Sequence, residues 1–186
     1  MLMKKERYPV VFCVGTPKVC GDSLGPMVGD RLKQAYDVPA YVYGTSASPV
    51  TGLNFRSYME HVRVFHPNSM VIAVDACLGS KEEVGKVKYS LKGLKAGTAL
   101  KKELGRVGDV AFLGIVGESG KDNFGALSGA DKRCVEELAE KDRRKNLSFL
   151  LSFKVRLYFV EYLSSTVNGV MDKKNTFLLI ALAKCI

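Results

Sequence analysis

The sequence lacks the features that mark several protein classes. Its 186 residues contain no repeat and no low-complexity tract, and its first residues carry no apolar run of the length that a secretory signal peptide needs. None of its five cysteines forms a Cys-x-x-Cys pair and their spacing matches no zinc pattern, so we interpret them as buried, unreactive thiols. We therefore expect a cytoplasmic protein with one domain that is large enough to bury a full core.

Long apolar runs are absent as well. Residues 146–163 are apolar but are interrupted by Lys154, Arg156 and Glu161, and the apolar run at 176–186 has only eleven residues. Because a helix needs about 20 apolar residues to cross a bilayer, we expect no transmembrane segment. We expect a packed pair of helices or strands at this end of the chain, and interfacial attachment to a membrane is the alternative.

The net charge of +9 is concentrated at the carboxyl-terminal end. Nine Lys/Arg and three Asp/Glu lie between Lys141 and Ile186, so this segment carries +6 and the remaining residues only +3. A basic patch can attract nucleic acid or anionic lipid, but no recognition-helix or aromatic-interleaved pattern accompanies it, and we expect no nucleic-acid partner. We predict an α/β domain over residues 1–141 and a basic, apolar extension over residues 142–186.

Strand and helix patterns alternate over the first 75 residues. Short β-branched apolar runs at 10–14, 39–44 and 69–74 predict buried strands, and helical spacing predicts helices at 24–36 and 54–65. This alternation predicts a parallel sheet with right-handed crossovers, whose active loops lie at the carboxyl ends of the strands. The residues at helical spacing are Leu24, Met27, Val28, Leu32 and Ala35 in the first helix, and Phe55, Tyr58, Met59, Val62 and Phe65 in the second.

The pattern is less regular after residue 80. Residues 85–91 alternate and predict a half-exposed strand, 107–116 predict a strand with a buried part, and 131–141 predict a helix. Residues 93–100 predict a loop with two glycine hinges. The segment 117–129 is polar and rich in glycine, and no element is predicted there.

Two aspartates lie at the ends of predicted strands. Asp22 is in the loop between the first strand and the first helix, and Asp75 directly follows the third strand. Because these strand ends share one edge of the sheet, we expect the two carboxyl groups to face each other. Alternatively, Asp22 or Ser23 caps the helix, which is the more common role of an aspartate at this place.

The first loop does not have the sequence of a phosphate-binding loop. Gly15 and Gly21 are one residue too far apart for Gly-x-x-x-x-Gly-Lys-Ser/Thr, and Asp22-Ser23 stands where Lys-Ser/Thr is required. A carboxylate at this position repels phosphate. The dinucleotide pattern Gly-x-Gly-x-x-Gly is absent too, so nucleotide binding is disfavoured.

Two facing carboxyl groups indicate two kinds of chemistry. They can share a proton, one acting as a base on water and the other as an acid, because nearby like charges separate their pKa values. Alternatively, they can hold a divalent metal that activates water. We interpret His66 as structural, because a strand of about 20 Å separates it from Asp75, and His61 has no evident partner. Without a histidine base, Ser23 and the cysteines are poor nucleophiles.

Several motifs resemble one protein family in the same order. The two longest are Phe12-Cys13-Val14-Gly15-Thr16 with Cys20-Gly21-Asp22-Ser23-Leu24-Gly25-Pro26, and Val71-Ile72-Ala73-Val74-Asp75-Ala76-Cys77-Leu78-Gly79. The shorter ones are Gly44-Thr45, His66-Pro67-Asn68, Gly93-Leu94-Lys95-Ala96-Gly97, Val107-Gly108-Asp109 and Gly114-Ile115-Val116. Over about residues 10–117 the sequence resembles the YyaC-type sporulation proteins of spore-forming Firmicutes, which are relatives of the spore germination protease.

The resemblance implies a three-layer α/β/α sandwich of the phosphorylase/hydrolase-like type with a mostly parallel central sheet, shared with the hydrogenase-maturation endopeptidases. It implies that Asp22 and Asp75 match the two essential aspartates of the germination protease. It further implies a sporulation-associated peptidase in the cytoplasm of the sporulating cell or in the spore. Its substrate would be a protein or peptide, such as a spore protein.

Around the two aspartates we predict substrate contacts from Gly21, Ser23, Thr45 and Gly79. We assign no metal ligand and no cofactor, and a divalent metal between the carboxylates is the alternative. Two other functions stay open, namely a non-catalytic sporulation binding or regulatory protein on the same fold and a metal-dependent maturation endopeptidase. An oligomer is compatible with each of these functions.

Overall fold

The computed structural model describes residues 8–34, 40–90, 92–95 and 106–139. The predicted extension at 142–186 and the helix residue Ala35 lie outside these ranges. None of the helices within them has the length and apolar character that crossing a membrane requires.

A five-stranded sheet forms the centre of the described part of the chain. Its strands, in spatial order, are β2 (Tyr41–Tyr43), β1 (Val10–Cys13), β3 (Val71–Gly79), β7 (Val110–Glu118) and β4 (Val87–Ser90). The first three pairs are parallel, whereas β4 pairs with β7 in the antiparallel direction. A separate ribbon pairs β5 (Leu94–Lys95) with β6 (Arg106–Val107). The mostly parallel sheet that the sequence predicts is confirmed.

Helices cover both faces of this sheet. They are α1 (Leu24–Gln34), α2 (Phe55–Phe65), α3 (Asn123–Ser128) and α4 (Lys132–Ala139), with short 3-10 turns at Gly21–Ser23 and Lys81–Glu83. Leu32 of α1 and Leu138 of α4 pack with Val74 in one buried cluster. Val62 of α2 packs with Phe12 in a second cluster on the other face. The result is a three-layer α/β/α sandwich, and the wholly buried β1 shows the continuous apolar sequence expected of a strand covered on both faces.

Glycines bring α1 into direct contact with the backbone of the sheet. A Cβ on Gly25 would overlap the carbonyl oxygen of Val14, and a Cβ on Gly29 would overlap that of Gly44. Gly44 has a φ of 88°, and a Cβ there would overlap the carbonyl oxygen of Cys13. These three glycines hold α1 and the end of β2 against the end of β1, and they thereby position the loop that precedes α1.

The structure differs from the sequence-based prediction in several elements. Residues 93–100 are predicted to be a loop, but Leu94–Lys95 form β5, which pairs with β6. β3 does not end at Val74 but runs on through Asp75, because β7 extends beside it along nearly its whole length. The predicted strand at 107–116 is interrupted at Gly108, whose φ of 80° separates β6 from β7. The segment 117–129, for which no element is predicted, contains α3.

One predicted helix face is also partly wrong. Phe55 and Val62 of α2 are buried as expected, but Phe65 at the end of the same series is 66% exposed. Phe65 is the last residue of α2 and stacks on the ring of His61 at a centroid distance of 4.3 Å. At this end of α2, the next residue, His66, contacts the edge strand β2. Phe65 therefore lies beside the edge of the sheet and not over the core.

Candidate active site

Asp75 is a buried carboxyl group in the middle of β3. β1 pairs with β3 only as far as Cys13 and Val74, so Asp75 stands one residue beyond the end of β1. Its side chain is 9% exposed, and its Oδ1 accepts a hydrogen bond of 2.8 Å from the amide of Ala76. A carboxyl group in this position is fixed by the backbone of a central strand and has little access to water.

Asp22 lies in the 3-10 turn that leads into α1. The amide of Thr16 donates a hydrogen bond of 2.8 Å to Asp22 Oδ2 and also approaches the Asp22 carbonyl oxygen at 3.1 Å. The Ser23 hydroxyl donates to the carbonyl oxygen of Cys20 over 2.6 Å. Both side chains therefore bind the loop before the helix, and neither bond is the contact with an α1 amide that the capping role predicts.

The two carboxyl groups interact electrostatically. Burial raises the pKa of Asp75 well above its ordinary value of 3.8, and the charge of Asp22 raises it further, while the Ala76 amide lowers it. Burial also raises the pKa of Asp22, against a lowering by the Thr16 amide. Because like charges disfavour each other, an ionised Asp22 makes the more buried Asp75 lose its proton less readily.

Two of the predicted substrate contacts are tightly packed glycines. A Cβ on Gly21 would lie 2.8 Å from the carbonyl oxygen of Leu127, and one on Gly79 would lie 2.8 Å from Glu83 Oε2. Close packing therefore accounts for glycine at both positions, and a substrate contact is not needed to explain either one. The predicted substrate contacts of Gly21, Gly79 and the half-buried Ser23 stay predictions.

Thr45, the fourth predicted contact, lies two strands away from Asp75. β2 ends at Tyr43 and β1 lies between β2 and β3, so Thr45 belongs to the loop that follows the edge strand, whereas Asp75 lies within β3. Adjacent strands are about 4.8 Å apart, so β2 and β3 are about 10 Å apart. Thr45 is 7% exposed and lines a cavity of about 480 Å³ that neither aspartate lines.

The residues around the aspartates do not complete a metal site. Among the described residues, no group of three or more His, Cys, Asp or Glu side chains is placed to hold a metal ion. Both histidines of the sequence, His61 and His66, lie beside β2. His66 Nε2 is 2.7 Å from the hydroxyl of Tyr43, which gives this histidine the structural role that the sequence predicts.

Thiols near the aspartates are held in the protonated form. Burial raises the pKa of Cys77 to about 11, and the charge of Asp75 adds to this effect. Burial and then the charge of Asp30 raise the pKa of the completely buried Cys13. The cysteines within the described ranges are all free, but only Cys13 is buried as predicted, and Cys20, Cys77 and Cys134 are half-buried. The raised pKa values make Cys13 and Cys77 poor nucleophiles.

Two features of this region, the role of Thr16 and the cavity beside Thr45, cannot be predicted from sequence patterns. Thr16 acts through its backbone amide, which no residue type identifies. The residues of the cavity beside Thr45 include Lys33 and Tyr58, which come from different helices and share no spacing along the chain. Only the fold brings them together.

Comparisons with known proteins agree with this architecture. The model of a family described as "Protein of unknown function (DUF1256)" matches residues 1–141. A Bacillus subtilis (strain 168) protein described as "Uncharacterized protein YyaC" is 40% identical over 130 residues. The aligned part covers 70% of this chain and 63% of YyaC, so the chain spans less than two thirds of that relative's length.

A solved structure has the same fold. The crystal structure of a [NiFe] hydrogenase maturation protease HycI from Thermococcus kodakarensis KOD1 matches with a TM-score of 0.53, over 82% of this chain and 95% of that chain. The sequences are 18% identical, so the similarity concerns the fold alone. It confirms the fold type that the motifs imply.

Proposed function

The chain belongs to the DUF1256 family, and we propose that it is a peptidase in which Asp22 and Asp75 act as general base and general acid. The observation that carries this proposal is the buried Asp75 carboxyl, whose pKa is raised by burial and by the neighbouring Asp22. A second support is the fold, which is that of a maturation protease.

The different environments of the two carboxyl groups suit different roles. Asp22 is the less buried of the two and is held by the Thr16 amide, so in its ionised form it can accept a proton from an attacking water. Asp75 keeps its proton at higher pH, so it can donate a hydrogen bond to the carbonyl oxygen and then a proton to the departing amine. The water oxygen bonds to the carbonyl carbon, the C–N bond breaks, and the pair returns to its starting state by proton exchange with solvent.

No step of this reaction uses a metal ion. The hydrogenase-maturation fold and the predicted alternative both suggest a divalent cation here. The described residues offer it two carboxylates and no third protein ligand, which is one ligand fewer than a catalytic zinc site has.

We propose a protein or peptide substrate that occurs in sporulating cells. The support for this proposal is that the motifs resemble sporulation proteins and that the structural neighbour is a protease by its title.

Cleavage of a proteome-derived peptide library, followed by mass spectrometry, tests the activity without a known substrate. We expect wild-type protein to produce a consistent set of cleavages. Asp22→Asn and Asp75→Asn should each slow them by about 100-fold or more, the usual contribution of a general acid or base. Asp131→Asn is the matched control, because Asp131 accepts a hydrogen bond from the Arg133 amide at the start of α4, where asparagine serves equally well.

Two results would contradict the proposal. Cleavage that survives both substitutions would exclude these carboxyl groups from the chemistry. The absence of any cleavage, together with a large loss of stability in Asp75→Asn, would instead support the non-catalytic binding or regulatory protein. In that case Asp75 would be a structural residue.

A further inference from the structure

A cavity with polar and apolar walls lies at the outer edge of the sheet, and neither aspartate lines it. Its volume of about 480 Å³ is in the range of sites that bind small molecules or short peptide segments. α1 contributes Lys33 to its lining, the loop after β2 contributes Thr45 and Ser48, and α2 contributes Tyr58 and His61. We call this space the β2 cavity.

Among the described residues, the lining of the β2 cavity has several hydrogen-bond donors and no carboxylate. Lys33 is exposed, and within the described part of the chain no ion pair joins it to an acidic side chain. Thr45 Oγ1 accepts the Ser48 amide over 3.1 Å, which leaves its own proton free to donate. The hydroxyls of Ser48 and Tyr58 are 2.8 Å apart, so one donates to the other and one proton is left. The β2 cavity therefore offers an anion one cationic group and two hydroxyl donors.

One wall of the β2 cavity is aromatic. The ring of Tyr43 meets those of Tyr58 and His61 edge-on, at centroid distances of 6.2 and 5.6 Å. The Tyr43 hydroxyl is engaged with His66 over 2.7 Å, so the Tyr43 ring is held in place. Such a wall suits an apolar or aromatic group next to the anion.

The β2 cavity is within reach of a peptide that also reaches Asp75. β2, which precedes Thr45, and β3, which contains Asp75, are about 10 Å apart across two strand spacings, and an extended peptide advances about 3.3 Å per residue. About three residues of an extended chain therefore cover the distance between these two strands.

We propose that the β2 cavity binds a carboxylate of the peptide substrate, about three residues from the bond that is cleaved. The carboxylate belongs either to the peptide's own carboxyl terminus or to an acidic side chain. The link to cleavage rests on the proposed function, whereas the binding of a carboxylate rests only on the residues that line the cavity.

Titrations of ¹⁵N-labelled protein with three synthetic peptides test the binding. The probes are acetyl-Ala-Ala-Ala-Tyr with a free carboxyl terminus, the same peptide as an amide, and acetyl-Ala-Ala-Glu-Tyr amide. We expect the first or the third to shift the amide signals of Gly44, Thr45 and Ser48 in a saturable way, about 10-fold more tightly than the neutral amide. Which of the two binds identifies the source of the carboxylate.

Substitution of the cavity's lysine provides the decisive comparison. Lys33→Gln should weaken the carboxylate peptide by about 10-fold, the usual effect of one charge-assisted hydrogen bond. Lys81→Gln removes an equally exposed lysine from the 3-10 turn at Lys81–Glu83 and should bind like wild type. Equal binding of all three peptides, or unchanged binding by Lys33→Gln, would overturn the proposal. Tighter binding of inorganic phosphate than of either carboxylate peptide would also overturn it.

The same titration separates this proposal from the proposed peptidase activity. Asp75→Asn should keep the wild-type preference for a carboxylate peptide over the neutral amide, because Asp75 does not line the β2 cavity. If no protein variant cleaves peptides but the carboxylate still binds, only the peptidase proposal fails. If cleavage occurs and Lys33→Gln leaves its KM unchanged, only the role of the cavity in substrate recognition fails.

Discussion

At the scale of single residues, Asp75 combines a chemical advantage with a cost in stability. Its burial keeps a proton on the carboxyl group at pH values where an exposed aspartate is ionised. The same burial makes the charged form unfavourable, and no cationic side chain is among the causes that shift its pKa. Groups of this kind are typical of functional sites, where activity is retained at the expense of folding free energy.

The pH dependence of unfolding should reveal this cost. The folded protein protonates Asp75 at higher pH than the unfolded chain does, so wild-type stability falls as the pH rises from about 3.8 towards the raised folded pKa. Asp75→Asn lacks this titration. We expect the variant to be more stable than wild type at pH 8, by about 1 to 3 kcal/mol, and the difference to shrink below about pH 4. Urea unfolding at both pH values measures it.

Asp131→Asn serves again as the control, because an exposed capping aspartate should show no such gain. A variant Asp75→Asn that is less stable than wild type at pH 8 would contradict the expectation. It would mean that the ionised carboxylate makes stabilising contacts in the folded protein.

Sequence patterns predict correctly that Asp22 lies in the loop before α1, because turn residues are a local signal, but they wrongly end the third strand before Asp75. The electrostatic interaction of the two aspartates is not a local property. It depends on the register of β1 with β3, and on how closely α1 approaches the sheet. Thr45 illustrates the same limit, since its motif predicts a substrate contact but only the strand order shows how far it lies from Asp75.

At the scale of elements, α1 determines where Asp22 lies. The helix contacts the sheet through Gly25 and Gly29, where any side chain would collide with a backbone carbonyl. A larger residue at either position would move the helix away from the sheet, and the turn that contains Asp22 would move with it.

Gly25→Ala tests this dependence. Although alanine favours helix by about 1 kcal/mol over glycine, overlap with the Val14 carbonyl should leave the variant less stable by about 1 to 3 kcal/mol. Chemical unfolding measures the loss. Gly120→Ala is the matched control, because a Cβ there meets nothing within 4 Å, and its stability should change by less than about 0.5 kcal/mol. Equal stability of the two variants would show that α1 adjusts without strain.

The elements themselves are predicted well where apolar periodicity is long and poorly where it is short. β1, α1 and α2 have regular patterns and form close to their predicted bounds. α3 has six residues and one buried side chain, Leu127, so it carries no periodic signal. The extension of β3 past Asp75 depends on its partner β7, because a charged residue in a strand normally predicts its end.

At the scale of the whole molecule, the three layers separate the histidines from the aspartates. His61 and His66 lie with α2 beside β2, whereas Asp22 and Asp75 belong to the loop after β1 and to β3. A divalent cation at the aspartates would therefore lack the imidazole ligands that nickel and zinc commonly take in proteins.

Melting curves with added cations test this separation. A cation at 100 times its Kd would add about 2.7 kcal/mol of stability, which is a shift of several degrees for a domain of this size. We expect nickel, zinc and manganese, each in large excess over protein, to shift the melting temperature by less than about 1 °C. A larger shift that disappears in Asp22→Asn would place a cation between the carboxylates and support the metal-dependent alternative.

The aromatic wall of the β2 cavity also contributes to the near-ultraviolet optical properties of the protein. The sequence has no tryptophan and eight tyrosines. Tyr8, Tyr41, Tyr43 and Tyr58, half of that number, are joined by ring contacts in one group around β2 and the end of α2. A ligand that enters the cavity should therefore change near-ultraviolet circular dichroism and intrinsic tyrosine emission, which gives a label-free optical signal for its binding.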